Sequence, residues 1–158
     1  MLALVGVCLV ATLWWVYFDG VADAGERRLA ALPPGQERNR QARICYTLLH
    51  LPLFAGDILV SLGIHAALHD PSSEFTLETS TAMFSGLAAY LLALVGFRLC
   101  TTGTLNRARL ATALLLLVLI PLAQLLPGWA ALTGTTAVMV ALIVVERIPT
   151  VRARTSGT

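Results

Sequence analysis

The sequence predicts an all-α fold, a polytopic bundle of about five transmembrane helices. Composition, the lengths of the apolar stretches and the placement of charge each point there. Of 158 residues, 57% are hydrophobic and only 13% charged, where soluble domains carry roughly 25% charged residues. Mean hydropathy is +0.77, and so little polar surface cannot coat a water-soluble core. Five apolar stretches, at 2–19, 44–67, 79–99, 108–126 and 129–146, approach or exceed the ~20 helical residues needed to cross the hydrocarbon. None alternates as a strand does, and Leu and Ala dominate them, so helices fit better than barrel strands.

Charge orients the predicted bundle. All eleven basic residues are arginines. Five lie in 20–43, three in 98–109 and three after Glu146, whereas 69–78 holds Asp70, Glu74 and Glu78 with no arginine. If five helices alternate, every arginine falls on one side. The positive-inside rule then puts the N-terminus outside and the C-terminus in the cytoplasm. The expectation is one helical domain over 1–148 and a disordered cytoplasmic tail over 149–158.

Each stretch has its own features. The first begins at Met1 with no basic lead and ends in Trp14-Trp15-Val16-Tyr17-Phe18-Asp19, which argues for a retained span rather than a cleaved signal peptide. A span that starts at Met1 on the outer face suits a piece, or a short relative, of a longer membrane protein. In the first cytoplasmic loop, 26–32 forms an amphipathic turn or two, Pro33-Pro34-Gly35 breaks the chain, and 36–43 extends the second helix. That helix carries Tyr46, His50, Pro52, Asp57, Ser61 and His65. At 100° per residue, His50 and Asp57 fall within about 20° of each other. Tyr46 and Ser61 flank the same line. Asp57 sits roughly 3 Å from the midplane. An ionised Asp there costs about 2.5–3.5 kcal/mol on the insertion scale, and the Leu, Ile, Phe and Val of the same helix return about 3–7 kcal/mol in total. The helix can insert, but Asp57 belongs inside the bundle. Pro52 frees the carbonyl of Leu48, and Pro121 frees that of Leu117.

Two readings stand for the polar groups. Asp19 is either a helix-ending residue in an aromatic belt with Trp15 and Tyr17, or a fixed anion facing Arg43, Tyr46 or His50. Asp57 is either functional, as intramembrane carboxylates usually are, or polar glue between helices. Small residues at Gly63 and Ala67, and at Ser85, Ala89 and Ala93, mark packing faces. Glu146 has Arg98 or Arg109 as partner. Cys8, Cys45 and Cys100 are scattered, and His50 and His65 lie on the second helix with His69 in the loop at its outer end, so neither a metal site, a disulfide framework nor a haem is indicated. There is no phosphate loop, HExxH, GxSxG or basic–aromatic patch. An enzyme, a cofactor and a nucleic-acid partner are therefore not expected.

Trp14-Trp15-Val16-Tyr17-Phe18-Asp19, then Tyr46-x-x-x-His50-Leu51-Pro52-Leu53-x-x-Gly56, then Tyr90-Leu91-Leu92 with Phe97-Arg98, resemble the bacterial low temperature requirement A family. Their order and spacing resemble the C-terminal half of its longer members. The resemblance implies a multi-pass protein of the bacterial cytoplasmic membrane with a role in low-temperature or envelope-stress physiology. It marks Asp19 and His50 as functional positions. It implies an apolar residue where Asp57 stands, so Asp57 is a feature of this chain. The expected mechanism is a proton- or ion-coupled transport element titrating at Asp19, His50 and Asp57. The rival is a structural subunit whose small-residue faces pack, in the bilayer, against a second copy or a second helical half.

Overall fold

A computed structural model describes residues 1–18 and 21–155, with backbone only for 21–24, Tyr46 and 148–155. Among the described residues there are seven α-helices and one π-helical turn, and no strand. In chain order they are α1 (Leu2–Phe18), α2 (Val21–Ala31), α3 (Gln36–Arg43), the π turn Ile44–Leu48, α4 (His50–His69), α5 (Leu77–Thr102), α6 (Arg107–Ala123) and α7 (Gly128–Thr155). Three segments, His50–His69, Leu77–Thr102 and Gly128–Arg147, are long and apolar enough to cross a membrane, and Leu2–Phe18 is a shorter apolar helix. Large apolar side chains such as Leu4, Leu51, Ile58, Val118 and Val144 lie more than half exposed, as on a surface solvated by lipid.

The core is organised around α5. Met83, Leu87, Leu91 and Leu94 are fully buried, because α4, α6 and α2 pack around this helix. α7 closes the bundle against α1, α4 and α6. The face α4 turns inward is Leu53, Gly56, Val60, Gly63 and Ala67, spaced three and four apart as one helical stripe. A Cβ at Gly56 would lie 2.6 Å from the Gly86 carbonyl oxygen, and one at Gly86 would lie 2.8 Å from that of Gly56. Seven residues along, a Cβ at Gly63 would lie 2.4 Å from the Met83 Cβ. The α4 and α5 backbones are thus in direct contact, the close approach that small residues permit in apolar surroundings. On α5 this line passes through Met83, Gly86 and Tyr90. Of the expected small residues, Gly63, Ala67 and Ala93 are buried while Ser85 and Ala89 are only half-buried.

Polar caps move several helix ends away from where hydropathy alone puts them. α5 starts at Leu77 because the Thr76 hydroxyl accepts the Thr79 amide at 3.2 Å, a standard N-cap. It runs on to Thr102, where the Thr101 and Thr102 hydroxyls donate to the carbonyls of Phe97 and Arg98. Gly103 then ends it at φ 69°, the left-handed cap that glycine adopts without strain. α6 begins where Asn106 accepts the Arg109 amide at 3.2 Å, and it stops at Ala123, three residues short of the expected end. α2 begins at Val21, earlier than the amphipathic turns expected over 26–32. α7 carries its helix to Thr155. Its last residues run into the segment 149–158 that was expected as a tail. Residues 156–158 lie outside the described residues.

The two ends of the bundle differ in charge. At one end α3 meets the end of α5, the Gln41 side chain donating to the Cys100 carbonyl at 2.9 Å; Arg40, Arg43, Arg98 and Arg107 are exposed. At the other, 70–76 meets 124–128: the Gly128 amide donates to Ser73 at 2.9 Å, Trp129 to Pro71 at 3.1 Å, and Phe75 to Leu126 at 3.3 Å. Asp70 sets the first of these loops. Its carboxylate accepts the Ser73 hydroxyl and amide and the Ser72 hydroxyl, and these bonds hold it below the usual carboxylate range.

Gly56→Val and Gly86→Val are expected to destabilise the bundle by about 1–3 kcal/mol each through overpacking. Gly134→Ala is the contrast, since nothing lies within 4 Å of its added methyl; it should be neutral or stabilising. Equilibrium unfolding in mixed micelles compares them. A second expectation concerns Asp70, whose folded value lies below its ordinary one. Its contribution is complete above about pH 4 and vanishes as pH falls through the lowered value. The melting-temperature gap between the wild type and Asp70→Ala should close over that interval.

Candidate functional site

A cleft of about 510 Å³ lies between α1 and α4, with Tyr90 of α5 at its floor. It gathers Tyr17, His50, Asp57 and Ser61, while Trp14 and Phe54 also line it. The cleft opens sideways: Trp14 and Phe54 at its edges are 57% and 59% exposed, toward the face a bilayer covers.

Its inner end is built by a break in helix geometry. In an α-helix the Leu49 amide bonds the Cys45 carbonyl. In the π turn it reaches back to Ile44 instead, at 3.1 Å, which leaves the Cys45 carbonyl open. The His50 Nδ1 takes it at 2.8 Å. A carbonyl only accepts, so Nδ1 carries the proton. In the neutral imidazole Nε2 is then an acceptor, and the Tyr17 hydroxyl donates to it across the α1–α4 gap at 3.1 Å. One histidine thus has its tautomer set by the backbone of its own helix and its outer nitrogen addressed by a neighbouring one. Single π turns inside helices recur at functional sites. The rings of Phe54 and Phe97 lie 5.9 Å and 6.2 Å from the imidazole.

Asp57 lies about two turns along α4 and is half-buried. Among the described residues no hydrogen bond or ion pair reaches its carboxylate. The Ser61 hydroxyl is committed to the Asp57 backbone carbonyl at 2.8 Å. The Tyr90 hydroxyl is likewise committed, donating to the Leu13 carbonyl at 2.8 Å. That bond fastens α5 to α1 behind the cleft.

The expected site residues therefore separate. Tyr17, His50, Asp57 and Ser61 come together. Trp15 does not line the cleft; Arg147 of α7 lies over its ring at 4.8 Å, a cation–π contact. Pro52 lies in the first turn of α4, just after the π turn. Asp19 and the Tyr46 side chain lie outside the described residues. The sequence pattern does not mark Tyr90, Trp14 or Phe54 as residues of this cleft. Tyr90 left a trace, because a tyrosine in mid-span needs a hydrogen-bond partner. Trp14 is marked only by its place in the aromatic motif at the end of the first stretch, and Phe54 by nothing that separates it from core.

A second polar group lies at the arginine-rich end. The Arg109 guanidinium, 3% exposed, makes a bidentate pair with Glu146, at 2.8 Å from Nε and 3.0 Å from Nη2. This decides between the two partners open to Glu146. The Asn106 amide also donates to Glu146, so one N-cap residue serves both the start of α6 and the ion pair to α7. Nη1 of Arg109 is buried with no partner among the described residues. Among those residues no group of three His, Cys, Asp or Glu side chains could hold a metal ion.

The family model for the bacterial low temperature requirement A protein (LtrA) matches residues 1–144. No curated protein and no solved structure matches the chain.

Glu146→Ala leaves a buried guanidinium without its counter-ion and should cost about 3–5 kcal/mol. Arg109→Met with Glu146→Leu should recover most of that loss. A double-mutant cycle in equilibrium unfolding reads the coupling.

Proposed function

We propose a function from the premise that this chain belongs to the bacterial low temperature requirement A family and is an integral membrane protein. On this reading it is a proton- or ion-coupled transport element without enzymatic turnover. It sits in the bacterial cytoplasmic membrane and serves low-temperature or envelope-stress physiology. Its apolar helices make five spans, α1, α4, α5, α6 and α7. The arginine-rich end faces the cytoplasm, so the N-terminus lies outside and the C-terminus inside.

One observation carries the reading. Asp57, a carboxylate with no hydrogen bond or ion pair among the described residues, shares a laterally open cleft with a histidine whose two nitrogens are already assigned. A carboxylate in an apolar surround demands a proton or a cation. His50 and Tyr17 supply a proton path at the inner end: Nε2 accepts from the hydroxyl, and a proton arriving on Tyr17 is passed to the imidazole. Asp19, which follows Tyr17 by two residues, is the candidate third titrating group.

The second reading is structural. The backbone contact at Gly56 and Gly86 supports a subunit built for helix packing, with a second copy or a second helical half as its partner.

Proton flux into liposomes carrying the purified chain, under an imposed pH gradient, separates the two. Asp57→Asn and His50→Ala should each lower the initial rate about tenfold or more, a barrier change of ~1.4 kcal/mol, while inserting normally. Rates unchanged in both variants, with loss of assembly in Ala89→Leu, would leave only the structural reading standing.

A further inference from the structure

We infer that the α1–α4 cleft binds a lipophilic organic cation, an ammonium or phosphonium with an apolar body, with Asp57 as its counter-ion. This rests on the transport reading of the same cleft and names its substrate class.

Three properties of the cleft select that chemistry. The first is the unpaired carboxylate. Inorganic cations need a shell of about six or more oxygen ligands, and the side-chain oxygens that line the cleft among the described residues are the Asp57 carboxylate and the hydroxyls of Tyr17, Ser61 and Tyr90. The Ser61 and Tyr90 hydroxyls donate to backbone carbonyls and that of Tyr17 to His50, bonds that fix these oxygens away from a common point around Asp57. The second is the wall. Trp14 and Phe18 lie with ring centroids 4.8 Å apart and tilted by 34°, Tyr17 meets Phe18 edge-on at 4.9 Å, and Phe54 lines the other side. Aromatic faces attract weakly hydrated organic cations and replace little of the shell an inorganic ion would lose. The third is the continuation of the space. A second groove of about 620 Å³ runs between α1 and α4 toward Ala3 and Leu68, is wholly apolar, and shares Val10 and Trp14 with the cleft. A polar, aromatic compartment opening into an apolar one matches a molecule with a charged head and a hydrocarbon body. Both volumes lie within the usual range of small-molecule sites. The lateral opening gives such a molecule access from the bilayer, where it partitions.

Among the described residues, the titratable groups sharing the cleft with Asp57 are His50 on α4, Tyr17 from α1 and Tyr90 from α5. The cation competes with a proton for the Asp57 carboxylate.

The test is equilibrium binding of radiolabelled tetraphenylphosphonium to the full chain in detergent micelles, beside tetraphenylborate, an anion of nearly the same shape. Saturable binding of the cation and none of the anion is expected. Asp57→Asn should weaken binding about tenfold or more, the scale of one lost charge-assisted contact. Asp57→Glu, which keeps the charge, should retain it, and circular dichroism with gel filtration checks that both variants fold. In weakly buffered solution near the titration of Asp57, binding should release protons in the wild type and not in Asp57→Asn. Equal affinity for the two ions, or undiminished binding by a folded Asp57→Asn, overturns the inference. Cation binding without proton flux sustains it and removes the coupling. Proton flux that depends on Asp57, with no cation binding, overturns it and leaves the transport reading in place.

Discussion

The rest of the structure depends on the contact between the backbones of α4 and α5 at Gly56 and Gly86. Neither glycine can carry a Cβ without meeting the other's carbonyl oxygen. The approach brings two apolar helices into dense van der Waals contact, the main source of cohesion where hydrocarbon solvent removes the hydrophobic drive. It also sets the rotation of α4. With Leu53, Gly56, Val60, Gly63 and Ala67 turned toward α5, the adjacent flank, about 100° round the helix, presents His50, Asp57 and Ser61 to α1. The polar stripe is thus placed by a packing stripe made of the smallest residues in the helix.

Around that pair, polar contacts do the fastening at the ends while apolar contacts fill the middle. The Asn106–Arg109–Glu146 group ties α6 to α7 at the basic end. The Asp70 loop and the Pro127-Gly128 turn close the acidic end through backbone hydrogen bonds. In between, α1 is held to α4 mainly by Tyr17 on His50, and to α5 by Tyr90 on the Leu13 carbonyl. α1 packs chiefly on α7, which leaves the α1–α4 interval open as the cleft. The candidate site is therefore a place where packing is incomplete, bounded by elements whose packing is complete.

The π turn shows how local and global requirements meet. Pro52 lacks an amide, and the preceding turn is widened so that a backbone amide and the His50 ring share the carbonyls on offer. The hydrogen bond from the His50 ring to the Cys45 carbonyl also fixes which imidazole nitrogen faces Tyr17.

Composition and charge placement determined by themselves that the chain is helical and apolar, and that its arginines gather in a few segments while 69–78 carries only acidic charge. These follow from solvent and periodicity alone, which act residue by residue. The grouping of His50, Asp57 and Ser61 was equally legible, because all three sit within one regular helix and 100° per residue holds from His50 onward. It does not hold across Ile44–Leu48, so the same arithmetic could not place Tyr46. Only the tertiary structure decided what faces that stripe. Tyr90 comes from forty residues away in the chain's order of helices, Trp14 and Phe54 look like any belt or core aromatic, and Glu146 had two arginines equally placed to pair with it. Such choices depend on which face of each helix packs inward. That face is set by the match of small residues on two helices at once, Gly56 with Gly86 and Gly63 with Met83, and a periodicity read along one strand of sequence carries no information about its partner.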